Sequence, residues 1–372
     1  MRLFFKQHRY HSNVFDWFFA FKELGHQPEL LVYKQDETRV QGLPMATFLK
    51  QSVFSKWIVR RNGRTRGDGV DQFTPYFFPG IKTLYRFIEE KQPKIVILRP
   101  VFTFYSYQLI LLSFFMRYKV VFYSQIRINK SVSLYKRVFL EIILWLTRSI
   151  WISPCPGDVS KYSPISKKMY LFPFVKKMKL TSRDSYFNDQ KINILVVAKI
   201  FPPKNIELAI EVFIELRQSY SDIRLTICAG SNIYEPYHDK LKALIDTSDV
   251  KNDIKIQIGV PYEEMTNVYM SHDILILPSN YDQAALVPVE SMGHGLVTFA
   301  SQGNGTSNYI TDGVDGYTFE KRGKEELLDK LEKLLKDRSK IPVMGNKAIE
   351  TVRLKHNPEK VIEDFLKRLN VK

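Results

Sequence analysis

Ten short apolar runs, separated by stretches of helical character, limit what this 372-residue chain can fold into. In the first half they fall at 2–5, 29–33, 95–98, 119–123 and 150–153; in the second, at 192–198, 224–229, 254–259, 274–278 and 296–300. Continuous apolar strands alternating with helices predict parallel sheets covered on both faces. Two such series predict two α/β domains, which a chain of this length accommodates at ~150 residues each. The expected division is a first domain over 1–180, a second over 181–357, and a closing helix over 358–372 that crosses back to the first. The stretch 176–190 is polar, lacks apolar periodicity and is the expected linker.

Helix signals fill the intervals. Ser12 or Asn13 is placed to cap a helix that runs to Leu24 and stops at Gly25. After Asn205, Ile206, Ile210, Phe213 and Ile214 fall on one face and Glu207, Glu211 and Glu215 on another, which predicts an amphipathic, half-buried helix. Asn357 and Pro358 mark the cap and first turn of a final helix reaching about Leu369.

Charge is unevenly placed. Residues 1–180 carry 30 basic and 11 acidic side chains, an excess of +19, whereas the remainder carries 25 and 28. That asymmetry points to an anionic partner for the first half only. The segments 102–116 and 138–145 are aromatic and aliphatic, edged by Arg117, Lys119, Arg127, Lys130, Lys136 and Arg137. A surface of that kind suits the face of an anionic membrane. The uncharged, largely apolar stretch 100–116 falls short of the ~20 apolar residues that span a bilayer, and an early charge interrupts any secretory signal. Cys155 and Cys228 cannot build a disulfide framework, and no zinc spacing occurs. The expected location is the cytoplasm, peripheral at the inner face of the cell membrane. No RRM, KH or helix-turn-helix signature supports nucleic acid as a partner.

Chemistry concentrates in the second half. The turn 198–205 carries Lys199 and Lys204, two ammonium groups five residues apart between a strand and a helix. In open α/β sheets that end of a strand is where ligands bind, and two lysines beside a helix start suit a diphosphate. The segment 278–295 sets Asp282 in a loop and Glu290 about one turn into a short helix, with the amides of Ala285 and Leu286 expected free to face an anion and Ser279 close by.

Together these segments resemble the donor half of glycosyltransferase family 4. That family carries an Arg and, five residues on, a Lys, here Lys199 and Lys204; its Glu-x7-Glu pair is here Asp282 and Glu290. Downstream, Gly305-Thr306-Ser307-Asn308-Tyr309-Ile310-Thr311-Asp312-Gly313-Val314-Asp315-Gly316-Tyr317 is similar to the family's Gly-x4-Ile-x-Asp-Gly-x2-Gly-Tyr tail. The resemblance covers roughly 190–370. It implies a GT-B fold, two Rossmann-like domains facing a central cleft, and a retaining, metal-independent transferase. The implied co-substrate is a nucleotide diphosphate sugar, with no cofactor, and the implied acceptor is a growing, lipid-linked surface polysaccharide or glycolipid. Lys199 and Lys204 would hold the diphosphate, Asp282 the donor-sugar hydroxyls and Glu290 the ribose. Main-chain groups at Gly259 and Val260 would lie against the base.

Three departures stand out: lysine at 199 offers a point charge in place of a planar fork, Asp282 is one methylene shorter than glutamate, and Ala285 replaces glycine. In the first domain the family's histidine after a strand such as 119–123 is replaced by Gln125, and His11 is a substitute candidate facing the cleft. Competing readings are a sugar-nucleotide epimerase of the same fold and a non-enzymatic polyanion-binding protein.

Overall fold

The computed structural model describes residues 1–7, 14–32, 46–61, 76–125, 127, 133–156, 168–177 and 180–370. His11, the cap at Ser12 or Asn13, and all but the first residue of the Gly- and Arg-rich loop expected at 61–71 lie outside them. The chain divides into two units. One comprises Met1–Pro154, Lys161–Phe174 and Pro358–Lys372, the other Cys155–Ser160 and Val175–Asn357.

The first unit contains β1 (Arg2–Gln7), α1 (Phe15–Glu23), β2 (Gln27–Val32), β3 (Ala46–Phe48), α2 (Val53–Arg61), α3 (Ile81–Lys91), β4 (Ile95–Leu98), α4 (Phe104–Met116), β5 (Lys119–Tyr123), α5 (Leu134–Leu146), β6 (Ile150–Ser153) and β7 (Met169–Leu171). Its strands form one parallel sheet in the order β3-β2-β1-β4-β5-β6-β7. Both faces are covered, so β4 and β5 are apolar and buried at nearly every position. Thr103 caps α4 by accepting from the Ser106 amide at 3.2 Å.

The second unit contains β8 (Ile192–Val197), α6 (Ile206–Arg217), β9 (Ile223–Ala229), α7 (Glu235–Asp246), β10 (Ile254–Ile258), α8 (Met265–Met270), β11 (Ile274–Leu277), α9 (Val287–Gly293), β12 (Val297–Ser301), β13 (Gly316–Phe319), α10 (Lys324–Lys336) and α11 (Lys340–Lys355). The sheet is parallel, in the order β10-β9-β8-β11-β12-β13. α6 is buried more deeply than its glutamate stripe predicts, because Leu208, Ala209, Val212 and Leu216 join the core beside Ile206, Ile210 and Phe213.

The last helix, α12 (Pro358–Arg368), belongs to the first unit, where Phe365 meets Phe21 and Phe172 at ring separations of 6.0 and 4.8 Å. The polar stretch before β8 is anchored to the second unit rather than loose. Arg183, 2% exposed, donates to the carbonyls of Ser185, His272 and Met270 at 2.8, 2.7 and 3.0 Å and lies 3.6 Å from Asp273.

Candidate active site

In the second sheet β8 lies between β9 and β11, so the chain leaves β8 to one side and returns on the other. Strand order reverses at this point, the place beside which ligands bind in open α/β sheets. The two loops that follow β8 and β11 carry the candidate residues. They are tied together by their main chains: the amides of Asn280 and Tyr281 donate to the Pro203 carbonyl at 2.9 and 3.4 Å.

Across that tie, the Lys204 ammonium forms an ion pair with the Asp282 carboxylate. Both side chains are about one-fifth exposed, reachable from solvent yet partly desolvated. Lys204 ends a 3-10 turn, Pro202–Lys204, and Asn205 follows in the left-handed region at φ 51° to start α6. Asp282 is fixed from behind by the loop after β12: its amide donates to Gly303 O at 3.2 Å and its carbonyl accepts from the Gly305 amide at 2.9 Å. A Cβ on residue 305 would lie 1.9 Å from Gln283 O, which is why glycine stands there. Lys199 is exposed and has no hydrogen bond or ion pair from its ammonium among the described residues.

Glu290 sits in α9, 8% exposed, and its carboxylate is held on both oxygens. Tyr262 donates to Oε1 at 3.2 Å, Tyr269 donates to Oε2 at 3.1 Å, and the Lys176 ammonium lies 3.4 Å from Oε1. These groups, with Met265, Thr266 and His294, line a cavity of about 530 Å³. Burial, and then the Glu290 carboxylate, push the Tyr269 hydroxyl well above its ordinary pKa, so it stays a donor. His294 stacks on Tyr269 at 5.1 Å, and its Nδ1 lies 2.7 Å from the Glu290 carbonyl. Burial lowers its pKa, which keeps the ring neutral at pH 7.

One expectation is corrected. The Ala285 amide is not free: Asn304 Oδ1 accepts from it at 3.5 Å and also from the Thr306 amide and hydroxyl at 3.1 and 3.0 Å. The helix that follows has seven residues and Leu286 as its N-cap, so its start offers an anion little. Ser279 is fully buried, and its hydroxyl has no hydrogen-bond partner among the described residues. Gly259, at φ 78°, and Val260 follow β10 at the sheet edge, two strands from β8. The tail motif is partly architecture: Asp315 accepts from the Thr311 amide and the Thr351 hydroxyl, both at 2.7 Å, and so builds the turn into β13.

In the first unit Gln125 accepts from Arg99 Nη2 at 2.7 Å, and Arg99 lies 5.1 Å over the Tyr123 ring. Among the described residues one trio, Glu235, His238 and Asp239 on α7, has the spacing to hold a metal ion. It lies at the start of α7, which follows β9, outside the two loops that carry the candidate residues.

The architecture is GT-B: two Rossmann-like units, each with a parallel sheet. The solved structures it matches include sucrose-phosphate synthase from Thermosynechococcus elongatus, at a TM-score of 0.72 and 13% identity over 99% of both chains. An Anabaena protein crystallised with UDP matches at a TM-score of 0.69 and 12% identity over 100% of both chains. At the level of sequence, residues 178–351 match the family model for glycosyl transferases group 1. A lipopolysaccharide 1,2-N-acetylglucosaminetransferase of Salmonella typhimurium is 28% identical over 177 residues, 46% of each chain. The chain thus spans about half the length of that curated relative.

Proposed function

We propose that this chain is a retaining glycosyltransferase of the family 4 type. It would move a sugar from a nucleotide diphosphate sugar to a growing, lipid-linked surface polysaccharide or glycolipid. The observation that carries this reading is the Lys204–Asp282 pair at the strand-order reversal of the second sheet. The family match over the same unit supports it. So does the UDP named with one structural neighbour. The lipopolysaccharide named for the Salmonella relative supports a glycan acceptor on a lipid.

In this reading the bond from the anomeric carbon to the diphosphate breaks, and its electron pair leaves with the diphosphate. Lys204 has three N–H donors and gives one to Asp282, so two are left for phosphate oxygens. Lys199, exposed on the same loop, adds the second charge. A cation held in a partly desolvated site, as Lys204 is by Asp282, stabilises a leaving anion with little reorganisation. Asp282, held by main-chain bonds, has lone pairs left for donor-sugar hydroxyls. Glu290 in its tyrosine-lined cavity accepts from the ribose. The acceptor oxygen bonds to the anomeric carbon on the face the diphosphate leaves, and its proton passes to the departing diphosphate oxygen, so configuration is retained. Leaving-group charge is carried by protein cations, with no metal assigned a step. The reaction takes place at the cytoplasmic face of a membrane that presents the acceptor.

The test is incubation of the chain with a panel of nucleotide sugars and a membrane extract, scored by release of nucleoside diphosphate and by a new glycosidic product. Release with at least one donor is expected. Folded protein that releases nothing from any donor overturns the reading, and sugar-nucleotide isomers formed without acceptor mean an epimerase instead.

A further inference from the structure

α5 presents an apolar face to solvent that the fold of the first unit does not use. Leu134, Val138, Phe139, Ile142, Trp145 and Leu146 are 49–76% exposed and recur at helical spacing. The opposite face is the one that packs: Leu144 is fully buried, and Leu140 and Ile143 lie against the same core cluster as Leu109 and Leu112 of α4. α4 precedes β5 and α5 follows it, and β4, β5 and β6 are consecutive in the sheet. Two right-handed crossovers in one direction place both helices on the same face. The outer side of α4 continues the apolar surface, with Leu111, Phe114 and Phe115 at 53, 57 and 73% exposure. An exposed patch of large aromatic and aliphatic side chains on this scale marks an interaction site.

The charge at the end of α5 selects the partner. A cavity of about 450 Å³ opens there, lined by Trp145, Leu146, Arg148, Ser149, Lys168 and Tyr170. Arg148 is exposed, and Lys168 reaches the Leu144 carbonyl at 3.1 Å, across the end of the helix. Two cations beside exposed Trp145 and Leu146 match an anionic headgroup above acyl chains. A second protein copy, carrying the same cations, would meet like charge. α5 has thirteen residues, about 20 Å of helix, too short to cross the ~30 Å hydrocarbon core. No described helix is long and apolar enough to span a membrane. An apolar helix of that length with basic residues at its end lies in the interface.

We propose that the outer faces of α5 and α4 are the membrane-docking surface of this protein, and that the Arg148–Lys168 cavity takes the phosphate of an anionic lipid headgroup. This deepens the membrane part of the function proposed above. Its failure is distinguishable, because release of nucleoside diphosphate from a soluble donor does not require docking.

The experiment is flotation of the full chain with vesicles of phosphatidylcholine alone or with about one-third phosphatidylglycerol. Binding to the anionic vesicles is expected. The double variant Arg148→Ser/Lys168→Ser should weaken it roughly tenfold or more, as expected for two surface cations. Phe139→Ser/Trp145→Ser should weaken it at least as much, with thermal midpoint and donor hydrolysis unchanged because both residues are exposed. Absence of binding to either vesicle overturns the proposal, as does binding that survives both double variants. Self-association in sedimentation that Phe139→Ser/Trp145→Ser abolishes while vesicle binding persists also overturns it, since the face would then belong to a second copy.

Discussion

Lys204 and Asp282 are 78 residues apart in sequence, yet the Pro203 carbonyl, accepting from the Asn280 and Tyr281 amides, holds their two loops together. Lys204→Ala should lower release of nucleoside diphosphate by about 10²–10³-fold, the range for removing one preorganised charge donor. The thermal midpoint should change little, because a partly exposed ion pair contributes about 0–1 kcal/mol. Equal loss of activity and stability would make the lysine structural. Tyr269→Phe removes a buried donor from Glu290 Oε2 and should cost about 1–3 kcal/mol by denaturant unfolding, with weaker donor binding in the same variant. The spacing of Lys199, Lys204, Asp282 and Glu290 is legible in the sequence because each pair sits within one turn or loop. Tyr262, Tyr269, Lys176 and Asn304 are not, because each reaches its partner from another element. A tyrosine 21 residues before a glutamate carries no local signal. The free amide expected at Ala285 failed for that reason: its partner, Asn304, comes from the loop after β12.

At the scale of elements, all ten apolar runs become strands, with ends within two residues of those expected. Continuous burial makes such strands readable. The strands without an expectation are short or weakly apolar: β3 and β7 have three residues each, and β13 opens with glycine. α11 was hidden because Gly345 interrupts a helix whose pattern is already weak, and the structure gives that glycine a purpose. A Cβ at 345 would lie 2.2 Å from Gly295 O and 2.3 Å from Tyr186 Oη, where α11 crosses the end of α9. Gly345→Ala should therefore destabilise the second unit by about 1–3 kcal/mol. Calorimetry should show this as a lower midpoint, and an unchanged midpoint would mean the helices separate freely. The same junction holds Arg183, so the stretch 176–190 reads as a linker in sequence, while its buried cation, bonded to His272 and Met270 and beside Asp273, folds it as a staple on the second unit.

For the whole molecule, pH acts through buried imidazoles. His272 and His294 have pKa values lowered from 6.5, in both cases chiefly by burial. Between 6.5 and the lowered values the unfolded chain binds more protons than the folded one, so stability is full above 6.5 and falls as pH drops. Asp273 acts in the opposite sense just above pH 3.8, since burial raises its pKa. Thermal midpoints measured from pH 7.5 to 5.5 should decline, and the double variant His272→Gln/His294→Gln should flatten the decline. A flat wild-type profile would contradict it. The charge division between the halves is a property of the same scale and is fully legible in composition. Composition does not reveal which helices would carry the membrane contact, because an exposed apolar face and a buried one have the same sequence pattern.

Donor binding in the proposed reaction depends on a diphosphate resting against Lys204. Calorimetric titration of UDP, GDP and ADP against their nucleosides, with wild type and Lys204→Ala, tests this most directly. In the wild type one diphosphate should bind about 30-fold or more tighter than its nucleoside, a difference of ~2 kcal/mol, and most of that margin should vanish in Lys204→Ala. An equal margin in both proteins, or no binding of any diphosphate, would contradict the account.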